Sequence, residues 1–146
     1  MIVPDVNLLL YATISVYPQH EAAKSWWEDA INSGEEIGLA APAVFGFIRI
    51  ATNPRVMSPP MSIDTALDFV SDWLRQPNVS HVVPGPRHLE IAFELLRKEG
   101  TGANLTTDAQ LAALAIEYDA EMVSNDSDFA RFGQLRWRNP LQPTGR

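Results

Sequence analysis

The sequence predicts an α/β fold in which a central, mostly parallel sheet is covered by helices on both faces, and three observations carry that expectation. Short apolar runs that read as strands alternate with longer segments of helical periodicity along the whole chain of 146 residues. Hydrophobic residues make up 46% and charged residues 20%, with no low-complexity tract and no internal repeat, the balance of a globular chain built on one core. Polar and acidic residues recur where strands end, and in open parallel sheets ligands bind in the crevice beyond the carboxyl ends of the strands. These observations predict a three-layer α/β/α domain with about four to five strands, spanning residues 1–146.

The elements follow in order. Met1 to Val3 reads as a strand, which Pro4 can end because it has no N–H for a ladder. Asp5 comes next, and Leu8, Leu9, Leu10 and Ala12 open a helix at once. Asn7 offers a side-chain amide to brace a neighbouring carboxylate. After the break at Tyr17-Pro18-Gln19-His20, Glu21 to Ile31 is a helix with Ala22, Ala23, Trp26, Trp27 and Ala30 on its apolar side, closed by Gly34. Ile37 to Ala40 is a strand. Pro42 at a first helical position introduces Ala43 to Ala51, apolar nearly all round and so expected to be buried. Thr52-Asn53-Pro54 and Ser58-Pro59-Pro60 mark a loop, either a flap or a plain linker.

Ser62 or Asp64 caps a helix carrying Ala66, Leu67, Phe69, Val70, Trp73 and Leu74. Val79 to Val83 is a strand, Pro84-Gly85-Pro86 a turn, and His88 to Glu99 a helix that stops at Gly100. Thr107 with Gln110 reads as a capping box for a helix from about Asp108 to Tyr118. Glu121 to Ser124 is a strand, and Leu135 to Trp137 supplies a last one before Pro140 and Pro143.

Several classes of function are disfavoured. A net charge of −7 and a pI near 4.8 argue against gripping nucleic acid through a broad basic face. Acids that converge on a divalent cation escape that objection, because the ion reverses the local charge. Arg131, Arg136, Arg138 and Arg146 cluster near the end of the chain, each reading singly as a surface residue. With no cysteine there are no disulfides, thiolate metal sites or cysteine nucleophile, which fits a reducing compartment. No basic segment precedes a long apolar stretch, so neither a signal peptide nor a membrane span is expected, and the cytoplasm is the expected location. Glycine-rich dinucleotide and P-loop motifs are absent. His20, His81 and His88 lack ligand spacing and read as surface or capping residues. Trp26, Trp27, Trp73 and Trp137 read as core or interface.

The acids remain. Asp5 follows the first strand, Asp126 and Asp128 follow the strand ending at Ser124, and Asp108 opens a helix. Taken singly, Asp5 reads equally as a helix cap, Asp108 as a first-turn acid, and Asp126 and Asp128 as turn formers. Taken together on a parallel sheet they face one cleft. Carboxylates at close range raise one another's pKa unless a cation lies between them. Mg²⁺ or Mn²⁺ suits an all-oxygen donor set, and such an ion can bind a phosphodiester and activate water.

Four stretches carry a resemblance. Asp5-Val-Asn-Leu-Leu-Leu-Tyr-Ala12, Phe47-Ile-Arg-Ile-Ala-Thr-Asn-Pro-Arg-Val56, Thr107-Asp-Ala-Gln-Leu-Ala-Ala-Leu-Ala115 and Ser124-Asn-Asp-Ser-Asp-Phe-Ala-Arg-Phe132 resemble, in that order, the PIN-domain toxins of VapBC toxin–antitoxin systems. Pro84-Gly-Pro-Arg-His88 and Leu135-Arg-Trp-Arg-Asn-Pro140 resemble the branch expanded in mycobacteria. The resemblance implies a Mg²⁺- or Mn²⁺-dependent endoribonuclease, a homodimer, a VapB-type antitoxin whose C-terminal segment occupies the active-site groove, and transfer or ribosomal RNA as substrate. It also implies that Asp5, Asp108 and Asp126 are metal ligands and Asp128 an additional acid. Asn7, Ser124 and Arg49 match polar residues that support the site.

The chain departs from the family pattern at Gly46, where a metal-site glutamate is common. Two alternatives stay open on that ground and on the position of Asp5. One is a catalytically weak or inactive module that binds RNA or antitoxin. The other is a phosphoaspartate enzyme or receiver, which would want a second Asp at Asn7 or a lysine at a later strand end, whereas Lys24 and Lys98 both fall on expected helices. Gly46 within a helix costs about 1 kcal/mol relative to Ala, which points to close packing or close approach by a partner.

Overall fold

A computed structural model describes residues 1–142, so Pro143 and Arg146 lie outside the described residues. Five strands form one parallel sheet: β1 (Ile2–Pro4), β2 (Ile37–Ala40), β3 (Val79–Val82), β4 (Glu121–Val123) and β5 (Trp137–Arg138), in the order β3-β2-β1-β4-β5. Helices α1 (Val6–Thr13) and α2 (His20–Asn32) connect β1 to β2, and α3 (Ala41–Ala51) and α4 (Ile63–Leu74) connect β2 to β3. Helices α5 (His88–Glu99) and α6 (Leu105–Glu117) then carry the chain back across the sheet to β4, and a 3-10 turn at Ser127–Arg131 precedes β5.

Parallel crossovers are right-handed. The strand order runs outward from β1 to β3 and then jumps to the other side of β1, so α1 to α4 cover one face and α5 with α6 cover the other. This is the three-layer α/β/α arrangement. Parallel strands covered on both faces are buried throughout, and β1 and β2 have no exposed residue.

On the first face, α2, α3 and α4 meet through an aromatic cluster. Trp73 stacks edge-on against Trp27 at 5.6 Å between ring centroids and lies 5.2 Å from Phe47. Such pairs add about 0.5–1.5 kcal/mol each beyond their buried area. Trp27 and Trp73 are therefore core residues, while Trp26 and Trp137 are partly buried.

Four expectations are corrected. Helix α3 is not buried all round: Ala43, Gly46 and Phe47 face the core, but Phe45 is 68% exposed and Arg49 is exposed. Helix α6 begins at Leu105, with Asn104 at its N-cap and no side-chain cap bond, so Thr107 and Gln110 lie inside the helix and form no capping box. Strand β5 is Trp137–Arg138 rather than Leu135–Trp137, set by the pairing of Trp137 with Met122 and Arg138 with Val123. His88 is a buried residue at the start of α5, not a surface one.

Three of the terminal arginines are paired: Arg131 with Glu99 at 2.7 Å, Arg136 with Asp119 at 3.4 Å and Arg138 with Glu121 at 3.1 Å. Among the described residues no helix is long and apolar enough to cross a membrane.

Candidate active site

The sheet reverses its winding between β1 and β4, and a crevice opens beyond the carboxyl ends of strands at such a switch point. Pro4 pairs with Val123 in that ladder, so the next residues, Asp5 and Ser124, leave the sheet side by side. Their side chains meet: the Ser124 hydroxyl donates to Asp5 Oδ2 at 2.7 Å. Asp5 Oδ1 accepts from the Val6 backbone N–H at 2.7 Å, capping α1. The capping role and the site role thus fall on one carboxylate.

Ser124 Oγ is a hub. It also accepts from Asn7 Nδ2 at 3.2 Å and from the Asp126 backbone N–H at 2.9 Å. Asn7 Oδ1 accepts from the Asn125 N–H at 3.4 Å, and Asp126 Oδ1 caps the turn that follows by accepting from the Asp128 N–H at 2.9 Å. The result is a chain of bonds that fixes the β1 and β4 exits against each other. Sequence reasoning missed its outer part, where the Trp137 indole N–H donates to the Ser124 carbonyl and Asn139 Nδ2 to Asn125 Oδ1, at 3.2 and 3.0 Å. The local sequence carries no signal for these bonds, which depend on where β5 joins the sheet.

Asp108 comes from the first turns of α6. That helix runs opposite to β4, which brings its N-terminal end to the carboxyl edge of the strands. Carboxylate oxygens of Asp108, Asp126 and Asp128 all lie within 4.8 Å of one another. They line a cleft of about 420 Å³ together with Asn104 and Arg131. Asp5 is 5% exposed and stands behind this trio, close enough to be felt electrostatically.

The electrostatics record the crowding. Partial burial, then the charges of Asp5, Asp126 and Asp128, push the Asp108 carboxyl up from 3.8 to about 7. Burial raises Asp5 as well, against the lowering effect of its Ser124 and Val6 hydrogen bonds. The four carboxylates crowd one edge of the sheet, and Asp108 feels the charges of the other three. Their donor set is all oxygen and partly water-accessible, which fits Mg²⁺ or Mn²⁺.

Arg49 is not brought to this cleft; it lines a separate cavity on the other flank of α6. Gly46 is buried, and a Cβ there would lie 3.1 Å from Val6 Cγ2, so the close packing expected at this position is with the first residue of α1.

Comparison with known proteins follows the same outline. A family model described as PIN domain matches residues 2–135. The chain is similar to Ribonuclease VapC33 of Mycobacterium tuberculosis H37Rv, 56% identical over 142 residues that cover 97% of this chain and 99% of that protein. It is 39% identical to Ribonuclease VapC37 of the same strain over 140 residues, 96% and 97% of the two chains. Among solved structures it resembles VapBC2 from Rickettsia felis bound to a promoter DNA fragment, with TM-score 0.68, 17% identity, and coverage of 95% of this chain and 98% of that one. The corresponding values for VapBC-1 from nontypeable Haemophilus influenzae are 0.69, 13%, 97% and 100%.

Proposed function

This chain belongs to the PIN-domain family, among the VapC ribonucleases, and on that premise we propose that it is a metal-dependent endoribonuclease acting as the toxin of a toxin–antitoxin pair. The observation that carries the reading is the convergence of Asp108, Asp126 and Asp128 within 4.8 Å at the switch point of the sheet, with Asp5 buried behind them.

Asp108, Asp126 and Asp128 would hold a Mg²⁺ or Mn²⁺ ion, with Asp5 supplying negative potential from behind or a further contact. The ion, when bound, supplies charge neutralisation for a phosphodiester and acidifies water for attack at phosphorus. The chain's own part is geometric. Ser124 holds Asp5 and the Asp126 backbone in one register, so the carboxylates keep their spacing. Asp128, exposed at the rim, would complete the site or orient the attacking water. Partner observations agree with a VapB-type antitoxin, since the similar structures from R. felis and H. influenzae are VapBC proteins. Leu89 and Phe93, exposed one turn apart on α5, support coverage by protein, whether the antitoxin or a second copy in a homodimer. The relatives are named ribonucleases, which favours an active enzyme over a binding module despite Gly46.

The test is cleavage of total RNA by the antitoxin-free chain with Mg²⁺ or Mn²⁺ and with chelator, beside Asp126→Asn. Discrete, metal-dependent products that disappear in the variant are expected. A folded wild-type sample that yields none overturns the reading.

A further inference from the structure

Helix α6 separates two cavities. Its Leu105 and Asp108 face the acidic cleft, whereas Thr107, Gln110 and Leu114, spaced at three and four residues, line a second cavity of about 660 Å³. That volume lies in the range of small-ligand pockets. The opposite wall is α3, which contributes Phe45, Ile48 and Arg49.

The residues form a pattern that metal chemistry does not use. Phe45 presents a ring that is 68% exposed, unusual for an aromatic residue on a helix that packs against the core. Arg49 follows it by one helical turn on the same face, and its guanidinium has no ion-pair or hydrogen-bond partner among the described residues of a chain with net charge −7. Thr107 and Gln110 add hydrogen-bonding groups across the gap. His88 closes one end, more than nine-tenths buried, with a ring Nδ1 that has no partner among the described residues. An aromatic face, a free guanidinium and a few polar groups at an otherwise apolar wall are what recognise an unstacked base and its phosphate in single-stranded RNA.

The wall is also held rigidly from the far end of α6. The Glu117 carboxylate accepts from the backbone N–H groups of Gly85 and Arg87 at 2.8 and 2.9 Å, and the Tyr118 hydroxyl donates to the Val83 carbonyl at 2.8 Å. These bonds fix the turn that carries Pro84 and His88 into the cavity.

We propose that this cavity is a nucleobase subsite, in which a base neighbouring the scissile phosphate stacks on Phe45 while Arg49 holds its phosphate. The assignment rests on the endoribonuclease reading above, because Asp108 of the acidic cleft and Thr107 of this cavity are consecutive residues of α6, so one bound strand could address both. An apolar peptide segment of an antitoxin is the competing occupant; the free guanidinium beside an exposed ring favours RNA.

The test measures binding of a short single-stranded oligoribonucleotide containing 2-aminopurine, with cleavage blocked by Asp126→Asn. Adding Phe45→Ala is expected to weaken binding roughly tenfold or more, while Phe45→Trp keeps it and shows quenched tryptophan fluorescence on RNA addition. Melting of Phe45→Ala should be unchanged, because the ring is mostly exposed. Arg49→Gln is expected to lower the slope of log affinity against log salt by roughly 0.7, the loss of one single-strand phosphate contact. Unchanged affinity in Phe45→Ala, from a protein whose wild type cleaves RNA, overturns the subsite and leaves the nuclease reading standing. A Phe45→Trp signal that answers to the antitoxin's C-terminal peptide and not to RNA overturns it in favour of peptide docking. A wild type that neither binds nor cleaves removes both readings.

Discussion

The two flanks of α6 are a natural comparison, because one helix builds both and they differ in nearly every physical respect. The acidic cleft gathers carboxylates that repel one another, and its geometry is maintained by a buried hydroxyl, Ser124, bonded to three partners. The second cavity is mostly apolar, with a lone guanidinium at its wall, and its geometry is maintained by Glu117 and Tyr118 gripping a turn. The first crowds like charges within 4.8 Å of one another, and the second leaves an open volume of about 660 Å³. Chemistry requires groups held against their mutual repulsion, whereas recognition requires shape and a few unpaired polar groups. On the proposed reading, the reaction falls to one flank and recognition of the strand to the other.

The sharpest way to break the comparison is to remove a carboxylate from the first flank alone. Asp126→Asn is expected to lower RNA cleavage by more than roughly 100-fold, beyond what partners outside a metal's immediate ligands cost, with little effect on melting. Ser124→Ala tests whether the hub, rather than the acids alone, sets the cleft. A fall in cleavage of roughly 10- to 100-fold is expected, with a stability loss of about 1–3 kcal/mol from the buried Asp5 oxygen left unpaired. A variant as active as wild type in steady-state kinetics would show that the acids need no such brace.

Gly85→Ala addresses the second flank. A Cβ at Gly85 would collide with the Glu117 carboxylate, and the collision is with a group already tied to the backbone on both oxygens. A loss of about 1–3 kcal/mol in chemical denaturation is expected, with metal binding to the acidic cleft unchanged.

The smallest effect concerns protons. Asp108 has a folded pKa of about 7 against 3.8 for the free group, so the folded chain binds that proton more tightly than the unfolded chain. Stability of the metal-free protein therefore falls as pH rises from about 4 to about 7, and the raised Asp5 adds in the same direction. Discounted for the partial exposure of Asp108, a melting temperature higher by roughly 2–4 °C near pH 5 than near pH 7.5 is expected in chelator. Asp108→Asn, or saturating Mn²⁺, should flatten the difference. A melting temperature that rises with pH in chelator would show that the acids are not in mutual repulsion.

Much of this was legible along the chain. The strands and helices were visible because apolar periodicity and Pro or Gly punctuation are local, and the four acids were visible because each sits at a strand exit or a helix start. The misreadings have a common origin. Thr107 and Gln110 have the spacing of a capping box, but α6 starts three residues earlier, at Leu105, and that leucine is buried in the core. Ala43 to Ala51 is apolar nearly all round, yet periodicity cannot tell a helix covered by its own chain from one that leaves Phe45 exposed.

The sequence by itself determined the alternation of elements, the parallel sheet, the acids at its edge and the family likeness, since these follow from side-chain chemistry read a few residues at a time. Only the tertiary structure decided that carboxylate oxygens of Asp108, Asp126 and Asp128 come within 4.8 Å of one another while Asp5 is held by Ser124, that Arg49 faces the other flank of α6, and that Glu117 holds a turn about thirty residues away, in line with the separations of 30 and 32 residues in those bonds. Those outcomes depend on strand register and helix placement, which fix distances between residues far apart in the chain and leave no trace in the local pattern.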